Sequence, residues 1–164
     1  MNAPSASSLL VLLVALGAAL VAGCSAGPVL PDLPPCPGPA CTCTNPDDCT
    51  CASRSECALR CGDGCRFHCR EDSTCAAACG NACNLECVED TDCTLYAGDD
   101  SNVRCTASTC VVEIGARSAM NCRDRAMCEI TCLGACTVAC ESGTTCRYRC
   151  GAGGPLVDGP GACE

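Results

Sequence analysis

From Cys57 onward, apolar and polar positions alternate in five-residue runs whose central residue is apolar and whose inner neighbours are small or polar. Cys57-Ala58-Leu59-Arg60-Cys61 and Cys65-Arg66-Phe67-His68-Cys69 are the first two such runs. The central residues continue as Ala77, Leu85, Leu95, Val103, Val112, Met120, Ile130, Val138 and Tyr148. A period of two describes a strand with one face buried. Between the runs lie, in turn, a three-residue turn and a polar turn of four or five residues. Gly62, Gly80, Gly98 and Gly115 open the shorter turn, and Gly151 recurs after the last run. A tight turn needs glycine there, whereas a helix would lose about 1 kcal/mol at each. The rival reading is helical, because the repeat length of 18 is also five helical turns and C-x3-C puts two cysteines on one helix face, as in twin C-x3-C hairpins. The period-two alternation decides for strand.

The runs belong to a repeat. One cysteine column is Cys57, Cys75, Cys93, Cys110, Cys128 and Cys146, and a second is Cys51, Cys69, Cys87, Cys105, Cys122 and Cys140. The spacing is 18 residues, slipping once to 17 in the third coil. A short fixed period means a stacked array, with equivalent positions about 4.8 Å apart. The predicted fold is all-β: a small two-sheet β-solenoid of 18-residue coils, disulfide-rich, after a signal peptide and a Pro-rich tether. The expected boundaries are a signal peptide at 1–23, a lipid-anchored tether at 24–48, the repeats at 49–150 and a C-terminal cap at 151–164. The repeats resemble disulfide-stapled β-solenoids in architecture, without the signature of a named domain.

Composition makes cross-links the source of stability. Twenty-five cysteines stand against one Phe, two Tyr and no Trp. That is a disulfide scaffold from an oxidising compartment. The missing cysteines suggest the pairing. Coil three has Ala97 and Ser101 at its two Gly-turn positions, and coil four has Ile114 and Ser118. Both members vanish together, as expected if Cys61–Cys65, Cys79–Cys83 and Cys132–Cys136 bridge the short turn. Cys51–Cys57, Cys69–Cys75, Cys87–Cys93, Cys105–Cys110, Cys122–Cys128 and Cys140–Cys146 would close the polar turns. Cys150–Cys163 and two bonds among Cys36, Cys41, Cys43 and Cys49 complete the set. Bonds between stacked coils are the competing pattern, since a 4.8 Å separation also lies within disulfide reach.

The N-terminus bears on the compartment. Leu9 to Val21 is an uninterrupted apolar run of 13 residues, too short for a membrane span of about 20 and right for a signal-peptide core. Val21-Ala22-Gly23-Cys24 follows directly and resembles the lipobox of bacterial lipoproteins. The resemblance implies lipidation of Cys24 as the mature N-terminus, attachment to a membrane through that anchor and, with Ser25 behind it, outer-membrane retention. No Lys or Arg precedes the apolar run, a departure from the usual signal. An ordinary secretory cut near Cys24-Ser25-Ala26 is the alternative. Seven prolines between Pro28 and Pro46 favour an extended, semi-rigid tether.

Candidate chemistry is sparse. A net charge of −9, with ten Arg and no Lys, offers no basic stripe for nucleic acid. There is no C-x2-C motif, which argues against thiolate zinc knuckles and thioredoxin-type redox chemistry. Glu71 and Asp72 should stack beside Glu89 and Asp90, and such carboxylates suit Ca²⁺. The acids do not continue in register, and solvated turns are the simpler account. The outward positions form no Thr ladder, which speaks against ice binding. His68, the only histidine, is expected to face solvent with no nucleophile beside it. The expectation is therefore a non-enzymatic, cofactor-free, surface-anchored structural or interaction protein, with its protein or glycan partner unassigned. A metal-binding cysteine-rich secreted protein, or a secreted binder or inhibitor, is the alternative.

Overall fold

The computed structural model describes residues 41–45 and 47–164. Numbered in chain order, its strands alternate between two sheets. The first sheet runs β1 (Cys41–Asn45), β2 (Asp48–Cys51), β4 (Arg66–Cys69), β6 (Asn84–Val88), β8 (Asn102–Thr106), β10 (Ser118–Arg123), β12 (Cys136–Cys140) and β15 (Gly161–Cys163). The second runs β3 (Glu56–Arg60), β5 (Thr74–Cys79), β7 (Asp92–Ala97), β9 (Thr109–Ile114), β11 (Met127–Cys132), β13 (Thr145–Cys150) and β14 (Val157–Asp158). Within each sheet β2 to β13 pair in parallel with the strand one coil away. This is the all-strand solenoid that the 18-residue spacing predicts.

Register stacks like on like. Leu59, Ala77, Leu95, Val112, Ile130 and Tyr148 form one inward column. Phe67, Leu85, Val103, Met120 and Val138 form the other. All but Tyr148 are buried. Each contributes about 1.5–3 kcal/mol where a full aliphatic side chain is withdrawn from water, and much less for alanine. Tyr148, in the last coil, is half-buried. The cysteine columns flank these side chains, so the interior is one aliphatic layer between sulfur rails.

The missing residue of coil three is absorbed in its polar turn. Cys105 and Cys110 are five apart where the equivalent pairs are six apart. Asp92 still faces Thr109 and Cys93 still faces Cys110, so the register survives the deletion.

Among the described residues, antiparallel strands cover both ends of the first sheet and the C-terminal end of the second, which otherwise ends on β3. At the C-terminus β14 pairs with β13 and β15 with β12, which occupies edges that would otherwise accept another chain. At the other end β1 pairs with β2, Cys41 facing Cys51. The sheet thus begins at Cys41, inside the segment expected to be tether up to residue 48. Cys41–Asn45 carries no proline and reads Cys-Thr-Cys-Thr-Asn, so its N–H groups are free to join the ladder. Among the described residues, no helix is long and apolar enough to cross a membrane.

Candidate functional site

Disulfides run within coils. Cys51–Cys57, Cys69–Cys75, Cys87–Cys93, Cys105–Cys110, Cys122–Cys128 and Cys140–Cys146 close the polar turns. Cys61–Cys65, Cys79–Cys83 and Cys132–Cys136 close the glycine turns. Cys43–Cys49 staples the first hairpin and Cys150–Cys163 the C-terminal cap. Cys41 is also disulfide-bonded, to a cysteine beyond the described residues. Such a density of cross-links belongs to an exported protein. Cys24, the anchor candidate, lies outside the described residues, as does Cys36.

Where coils three and four lack the glycine-turn bond, hydroxyls take its place. Ser101 Oγ accepts from the Cys83 N–H at 3.1 Å, and Ser118 Oγ accepts from the Ser101 N–H at 3.0 Å. Ser118 in turn donates to the Gly98 carbonyl at 3.2 Å. Ala97 and Ile114 fill the apolar side of the same gap and are fully buried.

The glycine-turn edge also carries a ladder of side-chain oxygens. Asp63 Oδ1 accepts from the Asn81 N–H at 2.6 Å, Asn81 Oδ1 from the Asp99 N–H at 2.9 Å and Asp99 Oδ1 from the Ala116 N–H at 2.8 Å. The left-handed residue of this turn is Gly64, Ala82, Asp100 or Arg117, with φ of 73°, 56°, 58° and 57°. Glycine at the opening position, expected for turn conformation, has another cause. A Cβ on Gly98 would lie 2.5 Å from Asn81 Oδ1 and 2.7 Å from the Gly80 carbonyl oxygen. Close approach of the preceding coil excludes a side chain.

The polar-turn edge gathers the carboxylates considered for Ca²⁺. Glu71 and Glu89 meet across coils one and two: a hydrogen bond to Glu71, then its negative charge, pushes the Glu89 carboxyl above its usual range. Asp72 turns instead to Arg54, 3.6 Å away, and Asp90 lies on the neighbouring coil. No third carboxylate closes a cage around them. Among the described residues, the groups of three or more potential ligand atoms within 4.8 Å of one another are all cysteine sulfurs, such as those of Cys69, Cys87 and Cys93. These are bonded into disulfides and offer no thiolate. Beneath the acids runs a column that sequence reading passed over: Ser73, Thr91 and Ser108, all buried, two residues before the second cysteine of each bond. Ser73 Oγ lies 3.1 Å from Cys69 Sγ, and Ser108 donates to the Cys87 carbonyl at 3.2 Å. The signal was present, since Ser55 and Thr144 occupy the same place in other coils.

Outward side chains of the first sheet form a charge ladder. His68 Nδ1 is 3.0 Å from Glu86 Oε2, and Glu86 Oε1 accepts from Arg104 Nη1 at 3.3 Å. His68 therefore stands between Thr50 and Glu86, its lateral neighbours coming from adjacent coils. On the glycine-turn edge Arg117 grips Asp100 with two bonds of 2.7 Å. That grip lowers the Asp100 carboxyl below its usual range against the opposing cost of burial, with a lesser push from the cation's charge.

No protein-family model, curated protein or solved structure matches this chain. The molecule's own irregularities are what remain to be read. One is a notch of about 240 Å³ on the polar-turn edge, lined by Asp90–Asp92, Ala107–Thr109, Arg125 and Met127. It lies at the shortened turn of coil three. Met127 is 54% exposed, and Val111 on the adjacent strand is 53% exposed. The slip from 18 to 17 residues was the signal that could have located it.

Proposed function

We propose that the protein is a non-enzymatic lipoprotein, anchored through Cys24 in the outer membrane, that presents a rigid disulfide scaffold at the cell surface. One observation carries the reading. Twenty-two cysteines pair among themselves in eleven bonds, and Cys41 is disulfide-bonded as well, a density of cross-links that supports export. Cys24 has the lipobox-like sequence before it, and Cys36 lies five residues from Cys41 in the proline-rich stretch. Thioether formation with a diacylglyceryl group would make Cys24 the anchor.

Recognition then falls to the outward side chains, since every described cysteine is oxidised and supplies no nucleophile. Their variety from coil to coil suits a specific protein or glycan partner. The test is maturation in the native cell. Globomycin should block processing, and the mature N-terminal peptide should carry the added mass at Cys24. A soluble mature chain beginning at Gly27, with no lipid, would sink the anchor.

A further inference from the structure

We propose that the notch in coil three is a binding site for a small zwitterion, a free amino acid or a dipeptide. Asp90 and Asp92 line it from the turn of coil two and Arg125 and Met127 from the turn of coil four, with Ala107 on the coil-three turn between them. Among the described residues, none of these three charged groups enters an ion pair, although Arg123, two residues before Arg125, is held by Glu141 at 3.2 Å. The notch thus presents both signs of charge, unjoined, from turns two coils apart.

Charge complementarity selects the ligand. An ammonium alone would leave Arg125 unmatched, and a carboxylate alone would meet two like charges. A zwitterion satisfies both signs, its ammonium at Asp90 and Asp92 and its carboxylate at Arg125, through charge-assisted hydrogen bonds. An aliphatic side chain would lie on Met127, whose thioether adapts to varied shapes.

The site is built before any ligand arrives. Asp90 N–H donates to the Ala107 carbonyl at 2.7 Å, Ala107 N–H to Arg123 at 3.1 Å and Met127 N–H to Ser108 at 2.9 Å. Its floor rests on buried Thr91 and Ser108. Three of its lining residues, Asp90, Ala107 and Arg125, have left-handed backbone. Unfavourable backbone conformations that the surrounding structure enforces tend to gather where a surface is specified for binding. Rigid walls also reduce the ordering cost of association.

The test is a titration of the full, oxidised, ¹⁵N-labelled chain followed by amide shifts. Leucine and the dipeptide Leu-Leu are the ligands, with isoamylamine and 4-methylvalerate as singly charged controls on a similar skeleton. Saturable millimolar shifts at Asp90–Asp92, Ala107–Thr109 and Arg125–Met127 are expected with the zwitterions and not with the controls. Arg125→Gln and Asp92→Asn should each weaken binding by about tenfold, the order of one charge-assisted contact. Glu113→Gln, on the neighbouring sheet face, should leave it unchanged. Tighter binding of leucine would mark a free amino acid as the ligand, and tighter binding of Leu-Leu a dipeptide; either supports the site. Absence of saturable shifts, an equal response to the controls, or full binding by Arg125→Gln would overturn it. Anchorage is read in membranes and this binding on purified chain, so either can fail alone.

Discussion

Asn81 hands its side-chain oxygen to the backbone N–H of Asp99, one coil further along, at 2.9 Å. That oxygen lies where the side chain of Gly98 would begin. Glycine and its Asx neighbour in the short turns of coils one to three are therefore parts of one device: the first residue leaves the space and the second, one coil earlier, fills it with an acceptor. A parallel solenoid must satisfy N–H groups at its corners as well as in its strands, and this ladder does so on the glycine-turn edge.

Gly98→Ala should destabilise the oxidised protein by about 2–3 kcal/mol, because the methyl displaces Asn81 and leaves the Asp99 N–H unpaired. Gly62→Ala is the internal control. Nothing lies within 4 Å of a Cβ there and the backbone is not left-handed, so the change should be neutral or stabilise by about 0.4–1 kcal/mol. Denaturant unfolding of both variants without reductant decides it. Equal effects would dissolve the link between glycine and ladder.

Cys79→Ala combined with Cys83→Ser should fold and lose about 2 kcal/mol, the chain-entropy contribution of so short a loop. Coil three already carries this solution in Ala97 and Ser101, and Ser101 Oγ bonds the backbone of the coil beside it. The variant should keep a β-type circular dichroism spectrum. A collapse of the fold would mean that the hydroxyl ladder does not substitute for sulfur.

The strands, the two inward columns and the stacking could be read from the chain because each depends on local periodicity. Leu59 and Phe67 are buried for the same reason that Arg60 and His68 are not. What depended on the neighbouring coil was harder to see. The partner of His68 is Glu86, 18 residues away, and the reason for Gly98 is Asn81, 17 residues before it. Strand β1 was hidden because prolines at both ends of Cys41–Asn45 made the whole segment read as tether. The buried hydroxyls of Ser73, Thr91 and Ser108 were read as turn surface because polar residues usually signal solvent.

Acid should stabilise the polar-turn edge before it harms the rest. Glu89 has its carboxyl raised by Glu71, so the native chain takes up this proton before the unfolded chain does. Stability from this pair therefore rises as pH falls from neutral through the raised value towards 4.5, and is lost again on deprotonation above it. Glu89→Gln should melt higher than the parent at neutral pH and converge with it near 4.5. Asp100 behaves oppositely. Its carboxyl is lowered by Arg117, so its contribution is present above 3.8 and lost as pH falls through the lowered value. Melting temperatures across this range check both signs, and a parent curve parallel to Glu89→Gln would refute the first.

Reduction should open this molecule from its ends. Cys43 and Cys150 are exposed, whereas Cys69, Cys75, Cys87, Cys105 and Cys122 are at most 1% exposed. A dithiol must reach a sulfur to attack it, so Cys43–Cys49 and Cys150–Cys163 should be labelled first in a timed alkylation read by mass spectrometry. The inner bonds should follow together, because reaching them requires the coils to part and the short aliphatic columns cannot hold the array alone. EDTA should leave the melting temperature unchanged if covalent bonds, not ions, fix the polar turns. Were Glu71, Asp72, Glu89 and Asp90 to hold Ca²⁺, EDTA would lower it and coils one and two would loosen first, since a ligand bound to the native state adds to stability. Early labelling of Cys69 or Cys87 would contradict the end-first order, and a large EDTA effect would transfer the stabilising role from sulfur to the acidic edge.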